Sequence, residues 1–207
     1  MNRISFVVFI MLVYSQIVPA EDFNTPMSRV KNSIERVITI LKNEELDRTV
    51  SWQEISKVID DSFDFRSMSQ SVLATNWQRA TPEERERFID FFTRYLEETY
   101  RSKIESYSNQ EVKYLKETIN GKRAVVETVI VTEQTEIPVN YKLKDNDGQW
   151  YAYDVDIEGV SLVNNYRTTF STVVKNEGMD GLISDIQRRI DAYKSSREAA
   201  EPPPSEI

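Results

Sequence analysis

The chain has 207 residues, 26 basic against 34 acidic, a net charge of −8, and no Cys or His. Without His there is no Ser-His-Asp or Cys-His nucleophile, none of the usual zinc sites, and no side chain that shuttles protons near neutrality at its unperturbed pKa. Without Cys a packed core alone must hold the fold, and a surface of this sign gains nothing from nucleic acid or anionic headgroups.

Residues 1–20 read as a cleaved signal peptide. Arg3 gives a short positive start, and residues 4–13 are apolar but for Ser5, too short to cross a membrane as a helix. Val18-Pro19-Ala20 then places small residues before a cleavage point at Glu21. No Cys follows for lipid attachment, so an exported, soluble product is expected. It retains 187 residues with 25 basic against 34 acidic, net −9, a length that suits one domain over 21–194.

Helices come first. Thr25-Pro26 is an N-cap with Pro at the first helical position, followed by Val30, Ile34, Val37, Ile38 and Leu41 at helical spacing. Ser51-Trp52-Gln53-Glu54 has the form of a capping box ahead of Ile55, Val58 and Ile59. Asp64 can cap a short helix bearing Phe65, Met68, Val72 and Leu73. The strongest helix begins at Thr81-Pro82-Glu83-Glu84 and is expected to run to about Tyr107, with Phe88, Phe91, Phe92, Tyr95, Leu96, Tyr100 and Ile104 on one stripe.

The period then changes to two. Residues 111–117 form an edge strand, Asn120-Gly121 is a hairpin signal, and 123–132 is rich in β-branched residues. Ile137, Val139, Tyr141 and Leu143 alternate with polar partners, Asp145-Asn146-Asp147-Gly148 turns, and 149–156 is the last strand. Helix returns at Ser161, with Leu162, Val163, Tyr166, Phe170, Val173 and Val174 on its apolar side. Gly178 stands where a helix would end, and Asp180 caps a final helix through Ile190. Residues 195–207, with three consecutive prolines, read as a disordered tail.

The pattern predicts an α+β fold: an antiparallel four- to five-stranded sheet packed by about six to seven helices, with room for a cavity between sheet and helices. The aromatic stripe of the long helix is ordinary core in its simplest reading. In the other reading part of it lines that cavity, with Tyr hydroxyls at a polar rim. Asp154, Asp156 and Glu158 are the densest acids. Alternation puts Tyr151, Tyr153 and Val155 opposite Asp154 and Asp156, leaving those two on the wet face and weakening any carboxylate-pair chemistry. Turn chemistry accounts for residues 145–148 without a calcium ion. No phosphate loop, dinucleotide fingerprint or nucleophile elbow occurs.

Two motifs carry a resemblance. Thr81-Pro82-Glu83-Glu84-Arg85 with Phe88, Phe92, Tyr95-Leu96 and Tyr100 is one. Trp150-Tyr151-Ala152-Tyr153-Asp154 followed by Glu158-Gly159-Val160-Ser161-Leu162-Val163 and Tyr166-Arg167 is the other. Together they resemble the MlaC family of periplasmic phospholipid carriers in the maintenance-of-lipid-asymmetry system, over roughly residues 27–190. One departure is Ala74, in Leu73-Ala74-Thr75-Asn76-Trp77, where the family usually has Gly. The resemblance implies a concave sheet, acyl chains inside and headgroup outside. It also implies two partners, an outer-membrane lipoprotein complex and an inner-membrane ABC lipid transporter complex. No catalytic residue, metal or cofactor is implied; phospholipid is the cargo and the carrier is expected to be a monomer in the periplasm.

On that reading the lipid-binding residues are Phe92, Tyr95, Leu96 and Tyr100 from the long helix and Val139, Tyr141, Tyr153 and Val155 from the sheet. Val160, Val163, Tyr166 and Phe170 complete the set, and Val160→Glu is expected to leave the protein folded but empty. Arg85, Arg87 and Arg94 are candidates for partner docking. The rival readings are a carboxylate-dependent hydrolase using Asp154, Asp156 or Glu158, and a periplasmic adaptor with no cavity.

Overall fold

The computed structural model describes residues 24–107 and 109–200; the expected signal peptide and residues 201–207 lie outside it. Helix α1 (Pro26–Leu41) starts where the sequence indicates, with Thr25 Oγ1 accepting from Ser28 N at 3.1 Å. Helix α2 (Arg48–Ser62) begins three residues before the expected box. Asp47 caps it by accepting from Thr49 N at 2.7 Å, which leaves Ser51 inside the helix and Glu54 paired with Lys57. Helix α3 (Phe65–Leu73) is capped by Asp64, and an unforeseen short α4 (Thr75–Arg79) follows a reversal at Ala74. Helix α5 (Pro82–Glu105) carries the full Thr81–Glu84 capping box and stops two residues short of Tyr107.

The sheet comprises β1 (Glu111–Asn120), β2 (Arg123–Val131), β3 (Glu136–Asn146), β4 (Gln149–Ile157) and a short β5 (Val160–Ser161), in that order and antiparallel throughout. The β4–β5 turn is two residues long with both φ angles positive, Glu158 at 52° and Gly159 at 83°. That is the type I′ geometry, whose twist matches paired strands and which Gly enters without strain. Helix α6 (Leu162–Ala200) then runs to the end of the described chain, with a kink at Gly178 (φ 72°) where a helix end was expected. It also passes through residues 195–200, expected as tail. The reason is tertiary: the Arg197 guanidinium pairs with half-buried Glu98 and pins the last turns against α5.

Two apolar clusters result. One is helical, built from α3, α4, α5 and α6 around Phe88, Phe92, Tyr95, Tyr166 and Phe170. The other joins Val30 of α1 to Val126, Leu143 and Ala152 of the sheet. Ile55 and Val58 of α2, and Val139 and Val155 of the sheet, are buried yet belong to neither cluster.

Candidate functional site

Strand register defines what the sheet offers to the helices, because directly paired residues share a face. Ala124, Leu143 and Ala152 form one row across β2, β3 and β4. Val126, Tyr141 and Val155 form the next. Tyr114, Thr128, Val139, Ile157 and Val160 form the third, spanning the sheet from edge to edge. Val112, Ile130 and Ile137 form a fourth beyond it.

Burial falls off along these rows. The first is sealed under α1 and the loop at Phe63. In the third, Thr128 and Val139 are buried, Tyr114 and Ile157 are half-buried, and Val160 is 56 % exposed. All three residues of the fourth are only half-buried. The facing helices open in the same way: Val37, Ile38 and Leu41 of α1, Ile104 of α5 and the following Tyr107 are half-buried too. The helix-facing side of the sheet is thus closed at one end and progressively uncovered toward the other.

Tyrosines lie along it. Tyr141 is only half-buried, yet burial pushes its phenol up to about 12. Tyr114 is raised chiefly by burial, then by the nearby Glu35, Tyr141 and Tyr107. These groups bring α1, β1, β3 and the segment after α5 close to one another. A second group sits in the helical layer, where burial first and then Tyr100 and Tyr95 raise Tyr166.

The expected lipid-binding residues divide among these regions. Phe92, Tyr95, Leu96, Val163, Tyr166 and Phe170 are buried in the helical cluster, with Tyr100 packed against it. Phe92 stacks on Phe88 at 5.4 Å and meets Tyr166 edge-on at 5.4 Å; Phe170 meets Phe92 at 5.8 Å and Tyr166 at 5.5 Å. Rings that satisfy one another this closely are core, each pair contributing about 1 kcal/mol. Val139, Tyr141 and Val155 lie on the helix-facing side of the sheet. Val160 ends the Val139 row at the exposed margin, so it belongs to a rim and not to a wall.

Tyr153 is a correction. A bulge places Lys142 opposite Asp154 and Leu143 opposite Ala152, so Tyr153 is the extra residue between them. Its ring sits under the Arg123 guanidinium at 5.4 Å, in a separate polar cavity. Tyr114, Ile130, Ile137 and Ile157 also stand in the helix-facing rows of the sheet, outside the expected set. Alternation along each strand carried the signal for them.

Asp154 is the second correction. It does face away from Val155, but the N-terminus of α6 covers that side and leaves it 4 % exposed. Its Oδ2 accepts from Lys142 Nζ at 2.8 Å and Ser161 Oγ at 2.7 Å, and its Oδ1 accepts from Val163 N at 3.1 Å. The carboxylate therefore caps α6 and fastens it to the sheet. Asp156 pairs across to Asn140 and Ser161 in the ladder, and Glu158 is exposed in the turn. The three acids converge on no common point. No group of three potential metal ligands occurs among the described residues. The docking candidates are engaged: Arg87 with Asp180 at 2.9 Å, Arg94 with Asp90 and over Phe91, and Arg85 over Trp77 with its Nε donating to Trp77 O at 2.8 Å.

A family model described as MlaC protein matches residues 31–188. The chain belongs to the MlaC family. Among curated relatives of MlaC type, the toluene tolerance protein ttg2D of Pseudomonas putida is 25 % identical over 145 residues, covering 69 % of this chain and 65 % of that protein. The intermembrane phospholipid transport system binding protein MlaC of Haemophilus influenzae is 24 % identical over 123 residues, covering 56 % of this chain and 58 % of that one. The chain thus matches less than two thirds of either relative's length. A phospholipid-binding protein from Ralstonia solanacearum, solved in complex with a phospholipid, shares the fold with a TM-score of 0.74 at 23 % identity, over 81 % of this chain and 98 % of that one. The MlaC-like Tyr-Asp and Glu-Gly-Val-Ser motif now has a physical basis. Its Asp and Ser cap α6, and its Glu-Gly makes the turn that lets them meet.

Proposed function

We propose that this protein is a non-enzymatic phospholipid carrier of the periplasm. It holds acyl chains in the crevice between the sheet and α1, α2 and α5 and leaves the headgroup at the uncovered end. The observation that carries the reading is the helix-facing side of the sheet, apolar across four rows and left unsealed over two. The chemistry suits the cargo. Two acyl chains hold roughly thirty methylenes, and at about 0.8 kcal/mol each their exposure costs on the order of 20 kcal/mol. Release into water is negligible, so lipid passes only by docking to complexes with apolar channels of their own, one at each membrane. The family and the phospholipid complex of the Ralstonia protein support the cargo class. The deployment of Asp154 as a helix cap removes the best acid from any hydrolytic scheme.

The test is native mass spectrometry of protein purified without detergent from a bacterial host, with organic extraction of the same sample. One phospholipid mass per chain, recovered in the extract, is expected. A bare polypeptide mass with nothing extractable would overturn the reading in favour of an adaptor.

A further inference from the structure

A second cavity, of about 710 Å³, lies on the other side of the sheet, between the β1–β2 turn and the α3–α4 corner. Lys122, Arg123, Lys144 and Arg167 line it, against a single acidic lining residue, Asp145. In a chain of net charge −8 that is a local reversal of sign. Of the four cations only Lys144 has a carboxylate partner among the described residues, Asp64 at 2.5 Å. Arg123 is held by the Tyr153 ring and hydroxyl, and Arg167 donates to Ser71 O at 2.8 Å and Asn164 Oδ1 at 3.1 Å. Lys122 has no side-chain partner among the described residues, and its position in the hairpin turn leaves it exposed. Positioned guanidiniums with their charge unspent are the usual means of recognising carboxylates.

Ala74, which lines the cavity, holds φ 50° and ψ −118°, a conformation that a residue with a Cβ adopts only under strain.

We propose that this cavity is a docking site for an acidic segment of a partner protein. Its shape and size select that occupant. A flat membrane surface cannot enter a concavity, and the volume exceeds what a free inorganic anion fills, matching the range that holds ligands of several side chains' bulk. Trp77 and Tyr153 add aromatic walls of the kind enriched at protein interfaces. The inference rests on the carrier reading only for the role of the partner, a membrane complex that must orient the crevice.

The experiment uses a fluorescein-labelled peptide, Glu-Asp-Phe-Glu-Asp-Glu, and its Gln/Asn counterpart, followed by anisotropy with wild-type protein and with Lys122→Glu/Arg123→Glu. These two side chains stand at the hairpin end, away from both apolar clusters, and a melting curve checks the variant's fold. Wild type is expected to bind the acidic peptide at least tenfold more tightly than either the variant does or the neutral peptide binds. Binding is expected to weaken with salt, and the bound lipid of the variant to be unchanged. Equal binding by variant and wild type, or no binding of the acidic peptide, would overturn the proposal. So would full displacement by millimolar inorganic phosphate, which marks a small-anion site, or equal loss of sedimentation with phosphatidylglycerol vesicles, which marks a membrane surface. Loss of lipid from wild type as well would instead count against the carrier reading.

Discussion

Replacing Asp154 with Ala removes three contacts from a site that is almost wholly buried. Loss of the hydrogen bond from Val163 N, an N-cap of α6, costs about 1 kcal/mol. The hydrogen bonds that the carboxylate accepts from Ser161 and Lys142 are worth about 1.5 kcal/mol or more each when desolvated. The Lys142 side chain is 32 % exposed and can return to water, so its share is roughly halved. The sum is about 3 kcal/mol, or about 6–12 °C in Tm for a domain of this size. Urea and thermal unfolding of wild type, Asp154→Ala, Lys142→Ala and the double variant measure it, and the cycle isolates the Lys142 coupling. A loss below about 1 kcal/mol would refute the latch and return Asp154 to the list of acids held for chemistry.

Three further outcomes follow from the same structure. Ala74→Gly relieves the positive φ and is expected to stabilise by about 1 kcal/mol, a rise of about 3 °C in Tm; an unchanged or lower Tm would mean that the backbone there is unstrained. Glu97 is raised first by burial and then by the charge of Asp60, so its carboxylate destabilises the fold fully above its folded pKa and not at all below the ordinary Glu range. Glu97→Gln therefore raises Tm at neutral pH and leaves it unchanged in acid; a gain that persists in acid would contradict the assignment. Val139→Glu and Val155→Glu place a carboxylate in the apolar wall and are expected to abolish co-purified lipid, while Tyr153→Glu, in the other cavity, leaves it in place; extraction and mass spectrometry decide.

Local signals were legible and long-range ones were not. The caps at Thr25, Asp64 and Thr81 satisfy orphan amides within three residues, so they read directly from the chain, as did the turn at Asp147-Gly148. The Ser51 box failed because Asp47 offered an equally good cap one turn earlier. The side of Tyr153 depended on a bulge that exists only through pairing with β3, and the burial of Asp154 depended on a helix that begins eight residues later. The order of residues 195–200 came from Glu98, a partner 99 positions away from Arg197. Seven of the twelve expected lipid-binding residues pack in or against the helical cluster for a related reason. Periodicity identifies an apolar face, but only the neighbouring layer determines whether that face is filled by protein or left for a ligand.

The most direct test of where acyl chains lie is photolabelling with a phospholipid that carries a diazirine at the end of one acyl chain, exchanged into the protein, with the labelled residues mapped by peptide mass spectrometry. Labels on Val139, Tyr141, Val155, Ile157 and the α2 face at Ile55 and Val58 are the predicted result. Labels confined to the helical cluster around Phe92 and Phe170, or scattered over the outer surface, would contradict the account.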